Sequence, residues 1–319
     1  MRFAVTESSP PVRTSYARAF GRALAGMLIM AFALGCAGAL SDIAHDRLGI
    51  SGTARLALTA AICCALAVPP VLLIRREIDR LPLRGLGLPG AGESLRSFVT
   101  GLIVTGGAAA AMLILGTNAG WLRWGPLDWP RLVTYVVVNA MIAFALEALP
   151  EELTIRGYAY RNLNARLRRW TAFLCTIVLF TATPGVANIV KAVVSALLGG
   201  PVQRPGIAPP GEDPISYVIL MVVFGFALLI ARVTTGSLWT SIALHLTFLT
   251  VNRVTLLGEE RDTGWSAETT TPDAVLLIPG YLLLTAVVFT ILGRLRGRRI
   301  GWRVRDPEQP ARAATSARA

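Results

Sequence analysis

Eight stretches of roughly twenty residues run almost without charge along this chain, and no other feature constrains its fold as strongly. They fall near residues 20–40, 56–74, 98–116, 132–150, 170–187, 215–231, 236–251 and 274–293. A membrane-crossing helix needs about 20 apolar residues at about 1.5 Å of rise each. Charge is gathered between the stretches: 54% of the residues are hydrophobic and only 16% charged. A soluble domain is nearer one quarter charged and scatters that charge so that one face of each helix stays wet. The expectation is an all-α fold, a polytopic integral membrane bundle of about eight transmembrane helices. The first stretch has the look of a signal-peptide core. It lacks a small-x-small cleavage site leading into a soluble domain, and further stretches follow at once, so it reads as a retained helix.

The net charge of +12 raises the question of a polyanionic partner. The arginines, however, sit on alternate connections and at the C-terminal end, which is the pattern of topology signals. Of the 31 Lys and Arg, 22 fall in the N-terminal arm, residues 75–97 and 156–169, Arg232 and the segment from Arg294. Eight fall in the intervening connections, and Arg22 lies just inside the first stretch. For an even number of passes the positive-inside rule then places both termini in the cytoplasm of a multi-pass cell-membrane protein. The expected partner of the basic residues is the lipid bilayer with its anionic headgroups, and no nucleic acid. Trp121, Trp124 and Trp129 cluster in one predicted outer connection, as in an interfacial aromatic belt.

The expected organisation is a cytoplasmic arm (1–19), three helices (20–131), a core of four (132–252), an outer loop with an eighth helix (253–293) and a basic tail (294–319). Within the connection 188–214, GGPVQRPGIAPPGEDP excludes helix through its prolines and glycines. The final DPEQPARAATSARA has no apolar periodicity and is expected to be disordered. Cys36, Cys63, Cys64 and Cys175 all lie in apolar runs with no metal or disulfide spacing, and read as small hydrophobes. There is no internal repeat and no Gly-rich phosphate loop.

Chemistry concentrates where the fourth stretch ends, in FALEALPEELTIRGYAYRNL. Glu147, Glu151, Glu152 and Arg156 close an apolar helix, and translocon scales assign roughly 2.5–3.5 kcal/mol to such a residue at mid-membrane. Intramembrane ionisable groups are functional candidates for that reason. Glu152 and Arg156 are four apart and predicted to pair, with Arg156 snorkelling to the headgroups. Glu151, about 100° round the helix, stays free to face a cavity. Pro150 removes one helical hydrogen bond beside the pair. The same residues also fit a plain salt-bridge cluster at the membrane boundary. In the seventh stretch, TTGSLWTSIALHLTFLTVN places His245 inside an apolar helix, with Ser241 and Asn252 on its face.

PEELTIRG resembles the EExxxRG motif of the CPBP family (CAAX prenyl proteases and bacteriocin-processing proteins, also called Abi). FGFALLIARVTTGSLWTSIALH resembles that family's late helix pair, and LFTAT occupies the place of its middle motif, FxxxH. The resemblance spans about residues 132–252. It implies an intramembrane protease in which Glu151 activates water, Glu152 and Arg156 support it, and His245 stands on the oxyanion or metal side. Phe180 and Asn252 are then expected against the substrate. No cofactor is required by a glutamate mechanism, although the family is also described with a divalent metal such as zinc.

Two positions depart from the family pattern. The histidine of FxxxH is Pro184, and the asparagine of HxxxN is Leu249. Losing an acid–base partner costs about 10²–10⁴-fold in rate and losing an oxyanion donor about 10²–10³-fold. The resemblance therefore implies an impaired endopeptidase acting on a membrane-associated peptide or protein at the cytosolic side. The alternatives are a pseudo-protease that binds such a peptide without cutting it, and a proton-coupled transporter using Glu147, Glu151 and His245 as a relay. A protease site requires Glu151 within about 10 Å of His245, as groups sharing one small site, across a polar cavity open to the cytoplasm and walled by Phe180.

Overall fold

Caps mark where the helices begin and stop. The Ser15 side chain accepts from the backbone N–H of Arg18 at 3.2 Å and opens α1 (Tyr16–Leu48), which Gly49 closes in the left-handed conformation at φ 68°. The second helix, α2 (Gly52–Leu73), widens into a π turn over Ile74–Ile78. A 3₁₀ turn at Leu83–Leu86 leads into α3 (Ala91–Asn118). After a short strand β1 (Leu122–Trp124), Asp128 caps α4 (Trp129–Ala143) by accepting from the N–H of Arg131 at 3.1 Å. One unbroken helical rod follows, as a π segment (Phe144–Ala148), α5 (Leu149–Glu151), a second π segment (Glu152–Ala159) and α6 (Tyr160–Arg166). Then come α7 (Arg169–Leu198), α8 (Pro214–Thr235), α9 (Leu238–Thr255), strand β2 (Ala267–Thr269) and α10 (Leu277–Leu295). The computed structural model describes residues 15–209, 211–297 and 300–304. The expected disorder from residue 306 and most of the expected arm (1–19) lie outside the described residues.

The all-α membrane bundle is as expected, with a difference in its eight passes. Among the described residues seven helices are long and apolar enough to cross a membrane. The eighth, α9, has 18 residues and is not one of them. Ser241, His245, Asn252 and Arg253 interrupt its apolar run, and much of it is packed inside the bundle, where polar side chains find protein partners. It nevertheless runs from one end of the bundle to the other. At the end where it starts, the Leu238 N–H donates to Gly87 O at 2.8 Å, and the Trp170 N–H to Trp302 O at 3.1 Å. At the end where it stops, β1 and β2 pair antiparallel, Leu122 opposite Thr269, and Arg47 donates to Leu198 O at 2.7 Å. Arg166 lies over the Tyr16 ring at 4.1 Å, so the described chain begins and ends at the same end.

The fifth pass is longer than its apolar run suggested. Its helix continues through Pro184 and on to Leu198, and irregular backbone starts only at Gly199. Residues beyond 187 stay helical because they pack along α1: a Cβ on Gly35 would lie 2.6 Å from Ala187 O and 2.7 Å from Val190 Cβ. Close approach of this kind, through small residues, is how membrane helices gain packing when lipid is as apolar as the core. The seam between α3 and α9 is built the same way, with Gly101 against Ala243 Cβ and Thr240 O.

Two charged clamps hold the bundle away from the motif residues. Asp42 on α1 takes Arg55 of α2 at 2.5 Å and Lys191 of α7 at 2.8 Å. Near the other end, Arg22 pairs with Asp79 at 2.6 Å beside the buried Tyr158, and the buried Arg75 donates to Pro82 O at 3.2 Å. The second clamp reaches the motif rod through Tyr158.

Candidate functional site

The rod Trp129–Arg166 carries the carboxylate motif well past its apolar run, as a shared site demands. From Glu152 to Ala159 it is a π-helix and every side chain is buried. Pro150, which cannot donate to the helix, stands just before it. π segments take an extra residue into a turn and recur at functional sites.

Within this rod the Glu152 carboxylate is the meeting point. Its Oε1 lies 3.2 Å from Arg156 Nη1 and 3.2 Å from His245 Nδ1. Glu152 and Arg156 are 0% exposed and His245 2%, so the group is sealed from solvent. The Arg156 guanidinium lies over the Phe180 ring at 3.7 Å, a cation–π contact made strong by desolvation. Gly225 of α8 lets that ring in: a Cβ there would sit 2.9 Å from Phe180 Cδ1. Phe224 stands edge-on to His245 at 4.9 Å and stacks on Phe248 at 4.0 Å. On the other side of His245, Ser241 donates to Leu238 O at 2.9 Å and faces Glu152.

Several expectations are corrected here. Arg156 does not snorkel to the headgroups. It is buried, because Glu152 and the Phe180 face hold it inside. His245 touches Glu152 at 3.2 Å, a contact that the sequence alone had not assigned. Glu151 is only partly buried and lies within electrostatic reach of His245, Arg156 and Glu147. Where an open polar cavity was expected, Phe180 lies against Arg156 and Phe224 against His245. Asn252, two turns along α9, accepts from the Tyr281 hydroxyl at 3.1 Å. Pro184 follows Phe180 by one turn, and Leu249 packs in an apolar cluster with Leu246 and Trp239.

Polar partners at the far side of the rod had no motif to announce them. Glu147 is held by Arg253 at 2.5 Å, and Arg253 also donates to Asn139 Oδ1 at 3.0 Å. Arg253 and Leu146 line an open cavity of about 870 Å³ between α2, α4 and the α9–α10 connection. It opens at the end opposite the described termini. The glycine in VFGFA is the one sequence signal that pointed to the aromatic wall, since a glycine inside an apolar helix often marks close approach.

The donor set does not fit a catalytic divalent metal. Such a site needs three protein ligands converging with an open position. Here Glu152 and His245 are spent on each other, with a guanidinium at 3.2 Å that would repel a cation. Among the described residues no three His, Cys, Asp or Glu are arranged to hold a metal ion.

Residues 132–251 match the sequence model of a family described as Type II CAAX prenyl endopeptidase Rce1-like. Over this segment, rather under half of the chain, the protein is similar to that family, whose motifs are those PEELTIRG and the late helix pair resemble. The match takes in the rod from α4, all of α7 and α8, and α9 through Val251. The helices that bring the motifs together are therefore the ones that resemble a CAAX-protease-type membrane protein. No curated protein matches the chain.

Proposed function

We propose that this CPBP-like protein is an intramembrane endopeptidase of low turnover, with Glu151 as its water-activating base. One observation carries the reading: the buried Glu152–His245–Arg156 group is assembled beside the partly open Glu151. Glu151 takes a proton from water as the oxygen adds to the scissile carbonyl carbon. The proton then passes to the leaving nitrogen as the C–N bond breaks. Glu152 faces His245 Nδ1, so that nitrogen carries the proton and donates. In the neutral ring Nε2 is left as an acceptor. Only the imidazolium donates from Nε2, so oxyanion stabilisation falls to a charged His245 balanced by Glu152.

Turnover is low on this reading because Pro184 and Leu249 supply neither the second imidazole nor the amide donor that the family places there. Those substitutions favour the second reading, a protein that holds a membrane peptide without cutting it. The transporter relay is not favoured, since Arg253 holds Glu147 and Glu152 holds His245.

A membrane-anchored reporter peptide, incubated with purified protein in liposomes, separates the two. Cleavage should fall at least about 10²-fold in Glu151→Gln, the cost of removing a general base, while peptide retention stays unchanged. Equal, background-level cleavage by both proteins with normal retention would leave the non-cutting reading.

Both termini are assigned to the cytoplasm of the cell membrane on the 22 to 8 distribution of Lys and Arg. Reporter fusions after the C-terminus and within residues 259–273 should then report opposite compartments, and a shared compartment would overturn the assignment. With that orientation the cavity beside Leu146 opens away from the cytoplasm.

A further inference from the structure

The seam between α3 and the end of α10 holds a polar pocket of about 440 Å³ that Glu151, Glu152 and His245 do not line and the chemistry above does not use. Arg96 on α3 and Arg296, the residue that closes α10, both line it. Both side chains are exposed and neither has an ion pair among the described residues. Glu93 is the one carboxylate among the described lining residues, whose formal charges sum to a single positive charge. Two of its hydroxyls already donate inward, Thr100 to Arg96 O at 2.8 Å and Thr240 to Ser97 O at 3.3 Å. The Thr100 oxygen is left to accept, whereas Thr240 is fully buried. The pocket thus offers guanidinium donors for an anion and a hydroxyl acceptor for a group that itself donates.

Its margin is apolar and open. Leu95 is 66% exposed, Val99 41% and Leu295 77%, flanking the two arginines on the outer faces of α3 and α10. A free inorganic anion has no use for that margin. A lipid does: the acyl chains run along the leucines while the phosphate meets the arginines. The pocket also lies at the end of the bundle where Arg294 and Arg296 gather, at the level where α10 stops.

We infer that this seam is a binding site for an anionic phospholipid with a hydroxyl-bearing headgroup, of the phosphatidylglycerol type. The phosphodiester sits between Arg96 and Arg296, and the headgroup hydroxyls donate to Thr100 and Glu93. Basic pockets between membrane helices bind anionic headgroups in this manner. The single negative charge of such a lipid matches the net charge of the lining, whereas a zwitterionic phosphatidylcholine has neither the net charge nor a donor.

Native mass spectrometry of the full purified chain, titrated with phosphatidylglycerol or phosphatidylcholine at equal concentration, tests it. The wild-type chain should retain phosphatidylglycerol in preference, and Arg96→Gln with Arg296→Gln should lose that preference, about fivefold for each guanidinium. A lysine pair at the same positions, which keeps the charge, should hold most of it. Should the double glutamine variant fail to fold, Arg296→Gln alone at its exposed helix end supplies the comparison. Equal retention of both lipids by the wild type, or a preference unchanged by the glutamines, would overturn the site. So would displacement of the lipid by millimolar inorganic phosphate, which would mark a site for a soluble anion.

Discussion

Arg156→Met should lower the stability of the purified protein by about 3–5 kcal/mol, the usual cost of stranding one partner of a buried ion pair. Both members are fully buried, and Glu152 would keep His245 but lose its only permanent cation. Glu152→Gln should be costly as well, since Arg156 has no route to the headgroups. Making both changes in one chain should be milder than either alone, because a buried pair replaced by neutral groups of similar volume is often close to neutral. Thermal unfolding in detergent checks this through a double-mutant cycle. Strictly additive losses would mean that the two side chains do not act as a pair.

The second large effect is a gain. Pro184→His with Leu249→Asn returns the two groups that the family pattern places one turn beyond Phe180 and His245. Reporter cleavage should rise by about 10²-fold or more, the lower range for an acid–base partner or an oxyanion donor. Replacing the proline also restores a backbone donor one turn from the Phe180 carbonyl. The gain should vanish when Glu151→Gln is added. A folded restored variant that still binds the reporter, yet cuts no faster, would count against Glu151 as the base.

The passes were legible in the sequence because an apolar run of membrane length has few other uses. The pairing of Glu152 with Arg156 was legible too, since helical spacing fixes it to within one turn. What could not be read was depth. Arg156 looked free to snorkel because nothing in PEELTIRG tells where the Phe180 face will be, and that face arrives from a different helix. The contact between His245 and Glu152 could not be read for a related reason. A regular helix was assumed at the motif, whereas the backbone from Glu152 to Ala159 is π, which changes the direction of every side chain after Pro150. The length of α7 was underestimated because packing against Gly35, invisible in a local window, keeps it helical.

The two π segments of the rod, Phe144–Ala148 and Glu152–Ala159, make its length negotiable. Each closes its hydrogen bonds five residues apart instead of four, and so houses an insertion without breaking the rod. A lineage that lost one residue between Leu153 and Ala159 would regain a regular helix at little cost to the backbone. The rod beyond would keep its facing, but side chains within the segment would move round by up to about 100°, taking Tyr158 off the Asp79 clamp or Arg156 off the Phe180 ring. Reading-frame-preserving deletions in this stretch should therefore be the changes that leave an inserted protein in the membrane with its motif taken apart.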